Sequence, residues 1–214
     1  MAPSTVRWTG AIGGCGFVAL FIVAAILYAN GAGRDPQEIV AYYSRQANRL
    51  AQIEGFAVLS IGLALFGLFV SSIRALLQPE EPWSSVILGA GFATLICLLI
   101  ANTLWASSAF TSVIEANYVI DPRSHLLIED TGFAFLVAGG VMGALFVGST
   151  SFAMARAIWF PRWLAWSGVP VVIALLSVYW YLPLFAFFVW IVVVGVSGLV
   201  VRREAILAVA AESA

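Results

Sequence analysis

The chain has 214 residues, with 10 basic and 11 acidic side chains and a formal net charge of −1. Hydrophobic residues make up 62% and charged residues 10% of the sequence, whereas soluble domains average about 45–50% and about 25%. This composition excludes a soluble globular protein, a disordered chain and a disulfide scaffold. The near-neutral charge also excludes a basic nucleic-acid binder. We therefore predict an all-α integral membrane protein whose single domain covers residues 1–214.

Six apolar stretches approach the length of about 20 residues that a helix needs to cross the hydrocarbon core. Turns that contain glycine, proline or charged residues separate these stretches. They cover about 9–29, 53–77, 84–112, 131–158, 163–181 and 184–201. The pattern predicts a polytopic bundle of six transmembrane helices.

The second helix has a recognisable start outside its apolar stretch. Asp35 can cap the helix, Pro36 suits its first position, and Glu38 can reach back to the cap amide. No helix breaker separates this start from the second apolar stretch. The simplest interpretation is one helix from Pro36 to Leu77, which would be about 60 Å long at 1.5 Å per residue.

The third helix is also too long for the membrane core, and its later half turns polar. We therefore expect the second and third helices to extend outside the bilayer. Residues 35–52 and 106–128 would then form a helical cap on the extracytoplasmic side. Within this cap, Asp121-Pro122-Arg123-Ser124-His125 predicts a loop, and Asp130 marks the start of the fourth span.

The arginines predict the orientation of the bundle. Six spans place both termini on one side, and that side carries the larger number of arginines. The six on the terminal side are Arg7, Arg74, Arg156, Arg162, Arg202 and Arg203, and the four on the opposite side are Arg34, Arg45, Arg49 and Arg123. The positive-inside rule then predicts that both termini of this multi-pass protein are cytoplasmic, in a bacterial plasma membrane.

A row of polar residues follows the outer half of the third helix. Thr103, Ser107, Thr111 and Glu115 recur every fourth residue, which places them on one face. Such a face meets protein or water rather than lipid, because unsatisfied polar groups are costly in hydrocarbon. One interpretation is a helix that leaves the membrane and packs on the second helix. The other is the wall of a cavity that opens to the outside.

Acidic residues accompany this row on the same side of the membrane, together with the single histidine. The set consists of Glu54, Glu115, His125, Glu129 and Asp130. Carboxylates with an imidazole could hold a divalent cation or relay protons. Pairing with nearby arginines, or helix capping by Asp130, explains the same residues without a site.

Small residues recur every fourth position in the fourth helix. Gly139 and Gly143 form one row, and Gly140, Ala144 and Gly148 form another. Such rows let helix backbones approach closely. The rows predict either packing inside the bundle or a dimer face.

Two segments carry a resemblance to a known family. Residues Ala41-Tyr42-Tyr43 lead through Arg49-Leu50 into a span that ends Ser72-Ile73-Arg74-Ala75-Leu76-Leu77, and a second motif reads Phe160-Pro161-Arg162-Trp163-Leu164-Ala165-Trp166-Ser167-Gly168. The chain resembles the uncharacterised actinobacterial membrane proteins of the domain-of-unknown-function 4386 family. This resemblance implies six spans in a plasma membrane, and it supplies no catalytic residues.

The sequence lacks hydrolase, phosphate-binding and Cys/His metal motifs. We therefore predict a non-enzymatic protein with no catalytic residues and no cofactor, and we leave a metal at the acidic set open. The leading hypothesis is an accessory or scaffold subunit of a larger membrane complex. Its expected partners are the lipid bilayer and, in the subunit hypothesis, another integral membrane protein. The alternative is a small transporter or a cation-binding protein with an acid-lined outer cavity.

Overall fold

The computed structural model describes residues 3–29, 31, 33–77, 80, 82–115, 118–157, 160–177 and 182–212. Within them it describes no side chains for 3–5, 7, 182 and 200–212. The side chains of Arg7, Arg202 and Arg203, which contributed to the predicted orientation, therefore lie outside the described residues. So do residue 158 and residues 178–181, at the ends of the predicted fourth and fifth spans.

Seven α-helices and no strand occur in the described part of the chain, which confirms the all-α class. The helices are α1 (Pro3–Tyr28), α2 (Pro36–Ser44), α3 (Gln46–Leu76), α4 (Trp83–Ile114), α5 (Pro122–Arg156), α6 (Arg162–Leu176) and α7 (Leu182–Glu212). Four of them, α1, α3, α4 and α5, are long and apolar enough to cross a membrane. Two shorter apolar stretches lie in α6 and α7. The protein is therefore a membrane-embedded helical bundle, and the count of six spans stays a prediction.

The single helix predicted from Pro36 to Leu77 is wrong. The chain leaves helical geometry at Arg45, where φ is −92° and ψ is 119°, so α2 and α3 are separate helices. The break lets α2 fold onto the bundle, where Ile39 and Tyr43 are buried against Ala109 and Ile120. A straight continuation would leave these two apolar side chains exposed, and tertiary packing here outweighs the helical propensity of the segment.

The loop predicted over Asp121-Pro122-Arg123-Ser124-His125 is also wrong, because α5 already begins at Pro122 and includes His125. The Asp121 carboxylate accepts hydrogen bonds from the backbone N–H groups of Arg123 and Ser124, at 3.4 and 3.1 Å. These bonds satisfy amides that the first turn of a helix leaves free. Asp130, predicted to start the fourth span, consequently lies inside α5.

Aromatic side chains form the centre of the bundle. Phe66 of α3 contacts Phe17 of α1 and Phe146 of α5, with ring centroids 4.9 and 5.9 Å apart. Phe146 also meets Trp190 of α7 edge to face at 6.1 Å. All four residues are buried. One continuous core therefore joins α1, α3, α5 and α7, with α4 packed between α3 and α5 and α6 packed on α5.

The backbones of α1 and α3 approach each other closely at Gly13. A Cβ atom added at Gly13 would lie 2.7 Å from the carbonyl oxygen of Leu65 and 2.9 Å from the backbone nitrogen of Phe69. Backbone atoms cannot rotate away from such a contact. The crossing therefore requires glycine at position 13, and the sequence analysis did not identify this position.

Candidate functional site

Polar contacts gather several helix ends at one side of the bundle, which we call the cap end. Arg34, in the linker after α1, binds both carboxylate oxygens of Asp130 on α5 at 3.0 and 3.1 Å. Arg49, on the first turns of α3, donates to the carbonyl oxygen of Ser112 near the end of α4 at 2.7 Å. An arginine at this place also complements the negative end of the α4 dipole. These contacts bring the linker after α1, the start of α3, the end of α4 and the start of α5 together.

His125 lies at the centre of the cap end and is only 2% exposed. Its Nδ1 is 3.0 Å from Oγ of Ser108 on α4. Its Nε2 is 3.3 Å from Oε1 of Glu129, one turn further along α5. That second pair has the distance of an ion pair but not the alignment of a hydrogen bond. Nδ1 can accept a hydrogen bond from the Ser108 hydroxyl or donate one to it, according to the tautomer of the imidazole.

Helix α2 covers this histidine. The ring of Tyr43 meets the imidazole edge to face, with centroids 5.1 Å apart. Burial raises the pKa of the Tyr43 hydroxyl well above its ordinary value, and the nearby Tyr42 and Glu129 act in the same direction. A hydrogen bond with Ser108 acts against this rise in pKa. Tyr43 therefore stays neutral at physiological pH and screens the imidazole from water.

The predicted acidic set is divided by the structure. His125 and Glu129 are in contact, whereas Asp130 pairs with Arg34 on the surface. Glu54 and Glu115 are exposed. Over the described residues there is no group of three His, Cys, Asp or Glu side chains that could hold a metal ion.

The predicted polar row on α4 satisfies its hydroxyl groups within its own helix. Thr103 donates to the carbonyl of Leu99 at 2.8 Å, Ser107 to that of Leu104 at 2.7 Å, and Thr111 to that of Ser107 at 3.1 Å. Because such bonds need no outside partner, these side chains tolerate a surface position. Thr103 and Glu115 are exposed, and Ser107 and Thr111 are half-buried.

A second polar contact, deeper in the bundle, joins three helices through Asn102. This side chain is fully buried and accepts a hydrogen bond from the Tyr28 hydroxyl of α1 at 2.8 Å. Its amide nitrogen donates to the carbonyl of Phe56 at 3.1 Å and to Oγ of Ser60 at 3.3 Å, both on α3. Asn102 directly precedes the predicted polar row in the sequence, and nothing in the sequence indicated these partners.

The small residues of α5 lie against neighbouring helices of the same chain. A Cβ atom at Gly139 would be 3.3 Å from Cβ of Cys97 on α4, and one at Gly143 would be 3.6 Å from Leu175 on α6. A Cβ atom at Gly148 would be 3.6 Å from Val172 on α6. Gly140 and Ala144 are buried as well. Distances of this size are those expected for packing inside the bundle, which was one of the two interpretations of these rows.

Comparison with protein-family models, with curated proteins and with solved structures finds no match to this chain. The function of the protein is therefore inferred from its own geometry.

Proposed function

We propose that this protein is a non-enzymatic accessory or scaffold subunit that joins a larger membrane complex through the outer face of α6. This face carries a stripe of large apolar side chains that no other described helix covers. Its members are Trp163, Trp166, Val169, Ile173 and Leu176, each between 46 and 70% exposed. Exposed tryptophans in such a stripe are typical anchors of protein interfaces.

The length of α6 supports a protein partner rather than lipid alone. The helix has 15 residues, which span about 22 Å, while the hydrocarbon core is about 30 Å thick. A helix that is too short for the bilayer is accommodated by thinning the membrane or by association with other helices. A partner helix packed along the stripe would relieve this mismatch. The short length of α6 is the observation that carries the proposal.

Site-specific crosslinking tests the proposal in the native membrane. A photoreactive amino acid at the position of Ile173 should crosslink one integral membrane protein, which also copurifies with the untreated chain in fixed stoichiometry. The matched control is Ile61 on α3, another exposed isoleucine. Equal crosslinking at both positions, or crosslinking to lipid alone at Ile173, would contradict the proposal.

We also propose that both termini are cytoplasmic in a bacterial plasma membrane, that the chain crosses it six times, and that it belongs with the domain-of-unknown-function 4386 proteins it resembles. The arginine count of six against four supports this orientation. Of the six on the predicted cytoplasmic side, Arg74, Arg156 and Arg162 lie at the end opposite the cap end. Cysteines introduced at Arg123 and Arg162 test it. An impermeant thiol reagent added to intact cells should label position 123 and not position 162, and the reverse labelling would reject the orientation.

The alternative of a small transporter or cation-binding protein is favoured by one observation, the contact between the buried His125 and the half-buried Glu129. An imidazole beside a carboxylate can take part in a proton pathway. Proteoliposomes with a pH-sensitive dye test this alternative. It requires a proton flux in the wild type that Glu129→Gln abolishes and that Glu115→Gln, at an exposed acid, retains. Absence of flux in the wild type would eliminate it.

A further inference from the structure

An apolar groove runs along the lipid-facing side of the bundle between α5 and α6, and it reaches the start of α4. It has a volume of about 600 Å³. Its lining includes Trp83, Met142, Leu145, Gly148, Phe152 and Val172. The hydroxyl of Ser149 also reaches the groove, but it donates to the carbonyls of Leu145 and Phe146 at 2.7 and 3.1 Å. The groove therefore suits hydrocarbon and not a polar ligand.

The positively charged side chain of Arg156 lies at the end of this groove that is opposite the cap end. The guanidinium of Arg156 lies over the ring of Phe152, 5.8 Å from its centroid. The Phe152 ring in turn contacts Trp83, with centroids 4.6 Å apart. Nε of Arg156 is 3.6 Å from Oε2 of Glu80, and the arginine side chain is 62% exposed. The ion pair and the ring hold the positive charge in place at the groove mouth while leaving it accessible.

We propose that the groove binds one acyl chain of an anionic phospholipid, whose phosphate is held by Arg156. Hydrocarbon below and a fixed positive charge at the membrane surface match the two ends of such a lipid. Basic positions between transmembrane helices on the cytoplasmic side are typical sites for anionic headgroups. The groove shares Leu176 with the α6 stripe that carries the proposed function, and its other lining residues lie outside that stripe.

The shape and charge of the groove favour a lipid chain over a partner helix. Between Val141 and Phe152, which both line it, α5 rises about 16 Å. A single hydrocarbon chain is much thinner than a helix of about 10 Å diameter and can lie along the groove, with its anionic headgroup beside the exposed cation at the mouth. A lipid chain is therefore the proposed occupant, and a helix of a second copy or of another protein is an outcome that the test must reveal.

Native mass spectrometry of the purified full chain tests this site. The protein is equilibrated with equal amounts of phosphatidylglycerol and phosphatidylcholine of identical acyl chains, and the lipids retained per protein are counted. One headgroup contact at the membrane surface corresponds to a preference of about fivefold for the anionic lipid. Arg156→Gln should reduce that preference to near one. Arg123→Gln, at an exposed arginine of the cap end, should leave it unchanged.

Two further variants separate a lipid site from a structural ion pair. Glu80→Gln releases Arg156 from its acidic partner and should raise the preference for phosphatidylglycerol. If the pair were purely structural, Glu80→Gln would lower this preference as Arg156→Gln does. Gly148→Phe fills the groove and should abolish retention of both lipids. Gly89→Phe is its control, because a Cβ atom at Gly89 has no other atom within 4 Å.

Equal retention of the two lipids by the wild type would overturn the proposal. So would an equal loss of preference in Arg123→Gln and Arg156→Gln, or a protein dimer that Gly148→Phe dissociates. If the groove variant does not fold, the variants Arg156→Gln and Glu80→Gln, which alter the ion pair and not the groove lining, still decide the outcome.

Discussion

The close contact between α1 and α3 yields a sharp prediction for Gly13→Ala. The new methyl group would lie 2.7 Å from the Leu65 carbonyl oxygen and 3.3 Å from Cα of Phe69. The helices must therefore move apart by several tenths of an ångström. A gap of 0.5–1 Å already removes roughly a quarter to a half of a van der Waals contact, so the loss extends along the whole interface.

The size of the effect follows from two opposing terms. Overpacking costs about 1–3 kcal/mol, and the upper end applies because the blocking atoms are backbone. Alanine regains about 1 kcal/mol over glycine in helix propensity. We therefore expect Gly13→Ala to lower the free energy of unfolding by about 2 kcal/mol.

Unfolding in detergent micelles, followed by circular dichroism during denaturant titration, measures this difference. Gly89→Ala is the matched control, since it makes the same chemical change on a helix face with open space around it. That variant should be as stable as the wild type or slightly more stable. The reasoning is refuted if Gly13→Ala unfolds at the same denaturant concentration as Gly89→Ala, because α3 would then have accepted the methyl group without cost.

Three further predictions concern buried and capping polar groups. Asn102→Leu should lower the free energy of unfolding by about 1–3 kcal/mol, because it leaves the polar partners on α1 and α3 unsatisfied. Tyr28→Phe, which removes one of these bonds, should lower the free energy of unfolding by less. Ser108→Ala should lower the free energy of unfolding by about 1–2 kcal/mol, because the buried imidazole of His125 loses the Ser108 hydroxyl. The Ser107 hydroxyl bonds within its own helix, so Ser107→Ala should change the free energy of unfolding by less than about 0.5 kcal/mol. Asp121→Ala should speed amide hydrogen exchange in the first turn of α5. Hydrogen bonds from that turn lower the pKa of the Asp121 carboxyl. The protection of the first-turn amides is therefore complete above the ordinary carboxyl pKa. In the wild type it is lost as the pH falls through the lowered pKa.

The helical class and the apolar stretches could be predicted because they follow from composition and local pattern. Asp35-Pro36 and Asp121-Pro122 are the same start signal, and both precede helices. Only the first was recognised, because apolar periodicity beyond Asp130 dominated the interpretation of the second. The break at Arg45 had no local signal, since it arises from the packing of Tyr43 on a distant part of the chain.

The candidate site was harder to predict for a related reason. The spacing of His125 and Glu129 indicates one helix face, but the contact with Ser108 depends on how α4 and α5 are aligned. Periodicity also identified a polar row beginning at Thr103 without showing that its hydroxyl groups are bonded within the helix. Similarly, the four glycines of α1 gave no hint that position 13 is the one whose Cβ atom would meet the backbone of α3. Local patterns define faces, and the register between helices decides which face becomes a site.

The hydrogen bonds of Asn102 have a consequence for how the chain is assembled during synthesis. Its partners Tyr28 and Ser60 lie on α1 and α3, and both helices precede α4 in the chain. When α4 enters the membrane, its amide thus meets acceptors and donors that are already in place, and it need not be exposed to lipid tails. A rearranged gene that delivers α4 before α1 and α3 would force that amide into hydrocarbon alone and should impair insertion.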